Sequence, residues 1–326
     1  MAGPSGLRLR RATAALVATA ALLPAIGGCA GDDDGATATG DAADAGLGGT
    51  LSWAVGSRPA QIDPLRATSR AEQLVTRQVH EPLVESLMGP FGDVRPMPGL
   101  ALGVRPSADR TIWRLRLREG VRFQDGTPFN GSAVVVNSER WRTTAEGRRL
   151  APALFAEDAP RQDLVRFFLE RPDPDFDRVL ASPRLGIVSP KALPPPGDSD
   201  ARLRRTDRSG TGPFELRERD SQHVLVARNL GWWGSSRDLG PALDQVDFRV
   251  EPSSAERLSM LRAGAVQLAD ELAPVDRPRL RRDPLLTTLP GPAGTALGLE
   301  RSVRGIKSGR TVPSLSGVWS TRIGSG

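Results

Sequence analysis

The sequence predicts an α/β protein, and three observations carry that prediction. Apolar and charged residues alternate strictly in Trp113-Arg114-Leu115-Arg116-Leu117-Arg118, the period-two signature of a strand with one buried face. Ser69 with Glu72, and Ser253 with Glu256, have the spacing of a helix capping box ahead of apolar residues one turn apart. Between residues 246 and 269 a strand, a helix and a second strand follow one another, the order of a βαβ crossover. The 326 residues suffice for two globular units at about 150 residues each.

In chain order, residues 50–55 read as a strand and Ile62-Asp63-Pro64-Leu65 as a turn. Ser69 and Glu72 then open a helix carrying Val75 and Val79, which Pro82 ends, leaving Leu83-Val84 extended. Residues 111–123 hold the alternating strand, with Glu119-Gly120 and Asp125-Gly126 as turns. Asn130 caps a helix through Val134, Val135, Ser138 and Trp141. Residues 165–169 read as a strand, 176–181 as a short helix and 194–197 as a loop. Residues 223–228 and 246–250 read as strands, the helix from Ser253 runs through Leu258 and Leu261 to Gly264, and 266–269 returns as a strand. The chain holds no internal repeat.

Composition narrows the function. Hydrophobic residues make up 39% and charged residues 25%, which fits a folded protein and not a disordered one. The net charge of +6 is terminal: residues 1–28 hold three basic residues, 301–326 hold five, and neither segment holds an acid, so 29–300 carries −2. A near-neutral body offers no basic face for nucleic acid. Cys29 is the single cysteine, which excludes an internal disulfide and a cysteine-built metal site. Arg8, Arg10 and Arg11 precede an alanine-rich apolar run over 12–26, the layout of an export signal that is too short for a membrane span of about 20 residues. Residues 31–49 are mostly Gly, Ala, Asp and Thr and read as a flexible tether.

Ile26-Gly27-Gly28-Cys29 resembles the bacterial lipobox, which makes Cys29 the lipidated first residue of a mature protein held at a membrane surface. The body carries a second resemblance. Ile62-Asp63-Pro64, His80-Glu81-Pro82-Leu83-Val84 and Pro98-Gly99-Leu100-Ala101 come first, followed by the run from Trp113 through Glu119-Gly120-Val121-Arg122-Phe123-Gln124-Asp125-Gly126-Thr127-Pro128-Phe129. Gly210-Thr211-Gly212-Pro213-Phe214, Arg228-Asn229 with Trp232-Trp233, and Leu261-Arg262-Ala263-Gly264 follow in order. Together they resemble extracellular solute-binding proteins of family 5, the oligopeptide-, dipeptide- and nickel-binding capture subunits of ABC importers, over residues 50 to about 298.

The resemblance implies a periplasmic-binding-protein type II-like α/β fold. Its expected parts are a signal peptide (1–28), a tether (29–49), a discontinuous lobe I (50–88 and 205–298), an inserted lobe II (89–204) and an irregular tail (299–326). The sequence departs from the family in having Ala133 where an acid is usual, in lacking tyrosine, and in turning to Gly/Ser/Arg sequence after Leu299. The expectation is therefore a member truncated before a third lobe. The implied function is lipid-anchored capture of a peptide or similar small solute for ABC permease subunits, without cofactor, metal or nucleic acid. A binding-incompetent remnant and an extracytoplasmic enzyme are the alternatives.

In peptide-binding members the loop after the Asp-Pro turn pairs its backbone with the ligand, and here that loop is Thr68, Ser69 and Arg70. The same residues also read as a helix cap (Ser69) and a solvated first turn (Arg70). Arg114, Arg116 and Arg118 read as the exposed face of their strand. His80 and His223 are too isolated for a metal site, and Trp232-Trp233 reads as packing. Catalysis finds no support: neither histidine accompanies a Gly-x-Ser-x-Gly elbow, and Asp173 and Asp175 lie in a solvated loop.

Overall fold

The computed structural model describes residues 48–88, 94–195, 203, 207–235, 241–280, 282–283, 286–289 and 298–301. All lie within one unit, residues 45–326. The export signal, Cys29 and the tether up to residue 47 lie outside the described residues.

Strand β1 (Thr50–Val55) leads through a tight turn at Asp63-Pro64 into helix α1 (Arg70–Val79). The hairpin β2 (Val84–Met88) and β3 (Val94–Pro98) follows, then β4 (Ala101–Pro106) and β5 (Ile112–Leu117). Helices α2 (Gly131–Thr143) and α3 (Ala145–Leu150) precede β6 (Leu154–Arg161), β7 (Leu164–Leu169) and α4 (Phe176–Leu180). The remainder is β8 (Phe214–Arg219), β9 (His223–Arg228), β10 (Gln245–Val250), α5 (Ser254–Ala263), β11 (Leu268–Ala269), α6 (Arg277–Leu280), β12 (Leu286–Leu289) and β13 (Gly298–Arg301).

Two sheets organise these elements. The larger has the order β12-β13-β11-β1-β10-β9-β8, and the smaller is β4-β5-β7-β6. β1 is parallel to both its neighbours: Trp53 sits opposite Phe248 of β10 and Leu268 of β11. The β10–α5–β11 segment is thus the crossover expected from the sequence, with β1 threaded between its strands. Its α5 begins at the Ser253 cap and stops at Gly264, whose φ of +77° suits glycine. β11 keeps only two residues of the four-residue strand expected there. β13 extends to Arg301, three residues into the stretch expected to be irregular.

The core reflects the alternation read from the sequence. Trp113, Leu115 and Leu117 are buried while Arg114 and Arg116 are exposed. Arg118 is a correction: it lies past the end of β5, where the alternation has stopped, and is buried. Its Nε and Nη2 donate to the Gly99 carbonyl at 3.2 and 3.1 Å, and its guanidinium lies 4.0 Å from the Trp233 ring centroid. Inside the small sheet, Trp113, Phe176, Phe167 and Trp141 form a chain of ring contacts with centroids 5.8–6.3 Å apart. α2 covers that face with Val134, Ser138 and Trp141, spaced as successive turns, and starts where Asn130 Oδ1 accepts the Ala133 N–H. A second core under the large sheet joins Trp53, Phe248, Val224 and Val226 to Val75 and Val79 of α1.

Candidate functional site at the carboxyl end of the parallel strands

In open α/β sheets the carboxyl ends of parallel strands form the crevice where ligands bind, because the following loops diverge there. Here those ends are Val55, Val250 and Ala269. Arg257, projecting from α5, ties the loops together. Its buried guanidinium donates from Nε to the Asp270 carbonyl (2.9 Å), from Nη1 to the carbonyls of Glu251 (2.6 Å) and Pro252 (2.9 Å), and from Nη2 to the Glu271 carbonyl (2.6 Å). Four carbonyl dipoles thereby solvate a cation withdrawn from water.

The buried Asp270 carboxylate has two partners. Oδ2 accepts from Arg70 Nε at 2.9 Å and Oδ1 from the Glu271 N–H at 2.9 Å. Glu271 adopts φ +51°, left-handed backbone that a glutamate holds only when its surroundings impose it. Its carboxylate lies over the end of β1: a Cβ on Gly56 would stand 2.6 Å from Glu271 Oε2 and 3.3 Å from Arg257 Nη1.

The three residues singled out in the sequence lie together at this end. Ser69 caps α1, its Oγ accepting the Glu72 N–H at 3.2 Å. The Glu72 carboxylate in return accepts the N–H groups of Ser69 (3.0 Å), Thr68 (2.9 Å) and Gln61 (3.0 Å). The amides of Thr68 and Ser69 are therefore engaged within the loop. What this segment presents outward is the exposed Thr68 and the part-exposed Arg70 side chain. Asp270, Glu271 and Arg257 were not singled out in the sequence. Their only signal there is position, directly after a strand end or in a capping-box helix.

Below this end the chain crosses between the sheets, and the crossing is densely hydrogen-bonded. Arg140 of α2 grips the buried Asp63 carboxylate with both terminal nitrogens. The Gly212 N–H donates to the Val79 carbonyl at 2.9 Å, and the Gln124 side chain donates to the carbonyls of Gly212 and Phe214. His80 is buried with Nε2 2.9 Å from Ser209 Oγ, and burial lowers its imidazole from the usual 6.5 to about 4 against the pull of Asp63. Glu81 is buried beside it. Burial raises its carboxyl from 4.5 to about 8, although the Trp232 and Trp233 indoles donate to it at 2.9–3.2 Å. The Trp-Trp pair is thus packing with a polar purpose. His223 faces Asp220 at 3.1 Å and Glu218 at 3.5 Å. Among the described residues no three His, Cys, Asp or Glu side chains are grouped to hold a metal ion, and no helix is long and apolar enough to cross a membrane.

Comparison with known proteins agrees with this architecture. Glutathione-binding protein GsiB of Escherichia coli is 30% identical over 220 residues, which are 66% of this chain and 41% of GsiB. The chain thus spans about two-fifths of the length of the curated relatives it matches. Among solved structures, the periplasmic binding protein DppA of Helicobacter pylori, in complex with peptide STSA, aligns with a TM-score of 0.63 at 22% identity, covering 75% of this chain and 51% of that one. NikA of Brucella suis, in complex with Fe(III)-EDTA, aligns with a TM-score of 0.62 at 24% identity, covering 74% and 48%. These likenesses establish the α/β periplasmic-binding-protein fold. The sequence profile "Bacterial extracellular solute-binding proteins, family 5 Middle" matches residues 95–304. The chain belongs to the family 5 bacterial extracellular solute-binding proteins.

Proposed function

We propose that this chain captures a peptide or similar small solute outside the cytoplasm and delivers it to the permease subunits of an ABC importer. The family match over residues 95–304 carries the reading. The polar cluster at the carboxyl ends of β1, β10 and β11 supports it, because paired charges held on rigid elements bind without doing chemistry. Ligand meets Thr68, Ser69 and Arg70 in this reading, chiefly through the outward groups of Thr68 and Arg70. Lobe I comprises 50–88 and 205–298, and lobe II comprises 89–204. The relatives' printed ligands (glutathione, a short peptide, a metal chelate) are small and polar, which favours a solute of that kind.

Titration calorimetry of the full chain with a mixed di- and tripeptide library tests capture. Saturable heat is expected, and an absence of heat across the library overturns the reading. Anchoring is a separate part of the proposal, with Cys29 as the lipidated residue. Cells fed a fatty-acid analogue are expected to label the wild-type chain and not Cys29→Ala. Label that persists in the variant refutes the anchor.

A further inference from the structure

The outer face of the small sheet carries a compact array of arginines. Side chains directly opposite one another on adjacent strands share a face. The register sets Arg105 of β4 opposite Arg114 of β5, Arg114 opposite Arg166 of β7, and Arg166 opposite Asp158 of β6. Arg116 stands two residues beyond Arg114 on the same face. Strands lie about 4.8 Å apart and two residues span about 7 Å along a strand, so the four positions spread in two dimensions and not along one line. The other face of this sheet is the one that buries Trp113, Leu115 and Phe167 under α2.

The fold does not answer most of this charge. Asp158 pairs with Arg166, and Asp163 pairs with the neighbouring Arg161. Arg116 acts on Asp163 only through space. Arg105, Arg114 and Arg116 are exposed, and among the described residues none of the three has a hydrogen bond or an ion pair. Like charges directly opposite on adjacent strands destabilise a sheet, so Arg105 and Arg114 weaken the pairing on which they sit. Residues 29–300 carry −2 overall, which makes this concentration of positive charge local.

The same face has an apolar end. Ile112, Phe168 and the half-exposed Phe155 line a depression that Thr111, Leu169 and Glu170 complete. Arg166 links it to the array, its guanidinium 5.6 Å from the Phe168 ring centroid. Arginines spread in a plane beside exposed aromatic rings match a surface whose phosphates lie in a plane over hydrocarbon. An extended acidic segment could answer one row of arginines, but it has no use for the apolar end. We infer that the outer face of the small sheet rests on an anionic lipid surface, with Arg105, Arg114 and Arg116 on headgroup phosphates and Phe155 at the acyl boundary. Planar guanidinium donors suit phosphate oxygens. This contact is separate from solute capture and from the Cys29 anchor, and it sets which side of the body faces a membrane.

The test uses the full chain with Cys29→Ala, which removes the only cysteine and lets one introduced cysteine carry an environment-sensitive fluorophore. Phe155→Cys reports from the face, and Leu230→Cys, at an exposed position outside this sheet, is the reference. Vesicles are phosphatidylcholine alone or phosphatidylcholine mixed with phosphatidylglycerol. The fluorophore at 155 is expected to shift to the blue on mixed vesicles and not on neutral ones, while that at 230 stays unchanged. Replacing Arg105, Arg114 and Arg116 together by Gln is expected to raise the lipid concentration at half-response roughly a hundredfold, the scale of three arginines at an anionic surface. The melting temperature of that variant is expected to stay level or rise. Replacing Arg217, Arg219 and Arg262, exposed elsewhere, by Gln removes the same charge and is expected to leave the response unchanged. A fluorophore at 155 that stays in water on mixed vesicles, or responds equally to neutral ones, overturns the inference. Equal losses in the two triple variants, or no loss in the first, overturn it too. So does a response to soluble oligoglutamate with none to vesicles, which assigns the face to an acidic protein.

Discussion

Glu81 makes the stability of this protein depend on pH in an unusual direction. Its carboxyl is buried between the sheets with the Trp232 and Trp233 indoles donating to it, and burial lifts it from 4.5 to about 8. Between those values the folded protein holds a proton that the unfolded chain has released. Stability therefore falls as pH rises through this window and is level above about 8. At about 1.36 kcal/mol per unit the whole window is worth up to ~5 kcal/mol. His80 acts in the opposite sense. Its folded value of about 4 lies below the usual 6.5, so stability is lost as pH falls from 6.5 through 4. The two slopes oppose each other between about 4.5 and 6.5, and the interval from 6.5 to 8 isolates the carboxylates. Wild type should lose ~2 kcal/mol across that interval in urea titrations followed by tryptophan fluorescence. Burial also raises Glu85 above 4.5, which gives its contribution the same sign as that of Glu81. Glu81→Gln keeps an acceptor for the indoles and cannot ionise, so it should remove most of the loss. A wild type level from pH 6.5 to 8, or a variant with the same slope as wild type, would refute the argument.

Other perturbations follow from the same contacts. Asp63→Ala leaves Arg140 as a part-buried charge without its bidentate partner, and urea unfolding should show a loss of about 3–5 kcal/mol. Ser69→Ala removes the acceptor for the Glu72 N–H and should cost about 1 kcal/mol in the same assay, with α1 amides near residue 72 exchanging faster. Phe167→Ala empties the centre of a four-ring chain and should cost about 3–5 kcal/mol. Gly210→Ala places a methyl 1.8 Å from the Val79 carbonyl, an immovable backbone atom, so little soluble folded protein should be recovered. Normal stability in that variant would mean that the crossing between the sheets is built differently.

Much of the fold was legible because the sequence states it locally. Strict alternation at Trp113, Leu115 and Leu117 fixes which face of β5 is buried, and serine–glutamate pairs mark the starts of α1 and α5. Strands without such a signature were not legible. β6 is an edge strand whose residues Glu157, Asp158 and Pro160 break any alternation, and a bulge at Phe155 shifts its register. β4 carries a similar irregularity at Leu102, between Ala101 and Gly103, and a proline end. Arg118 misled because the period of a strand cannot say where the strand stops.

The candidate site was legible only in part. Thr68, Ser69 and Arg70 are adjacent in sequence, so a motif could find them. Asp270 lies 200 residues from Arg70 and meets it only because β11 is parallel to β1. Arg257 in sequence is an ordinary helical arginine. Its role exists once four carbonyls from two loops converge on it. Charge pairing across a sheet end belongs to topology, and no local pattern encodes it.

Capture without chemistry is most directly tested by native mass spectrometry of the full chain incubated with a defined mixture of short peptides. The account predicts a one-to-one adduct that competes away with excess unlabelled peptide, and a peptide pool whose masses are unchanged after overnight incubation. A chain that retains no peptide, or a pool in which new product masses accumulate, would contradict it.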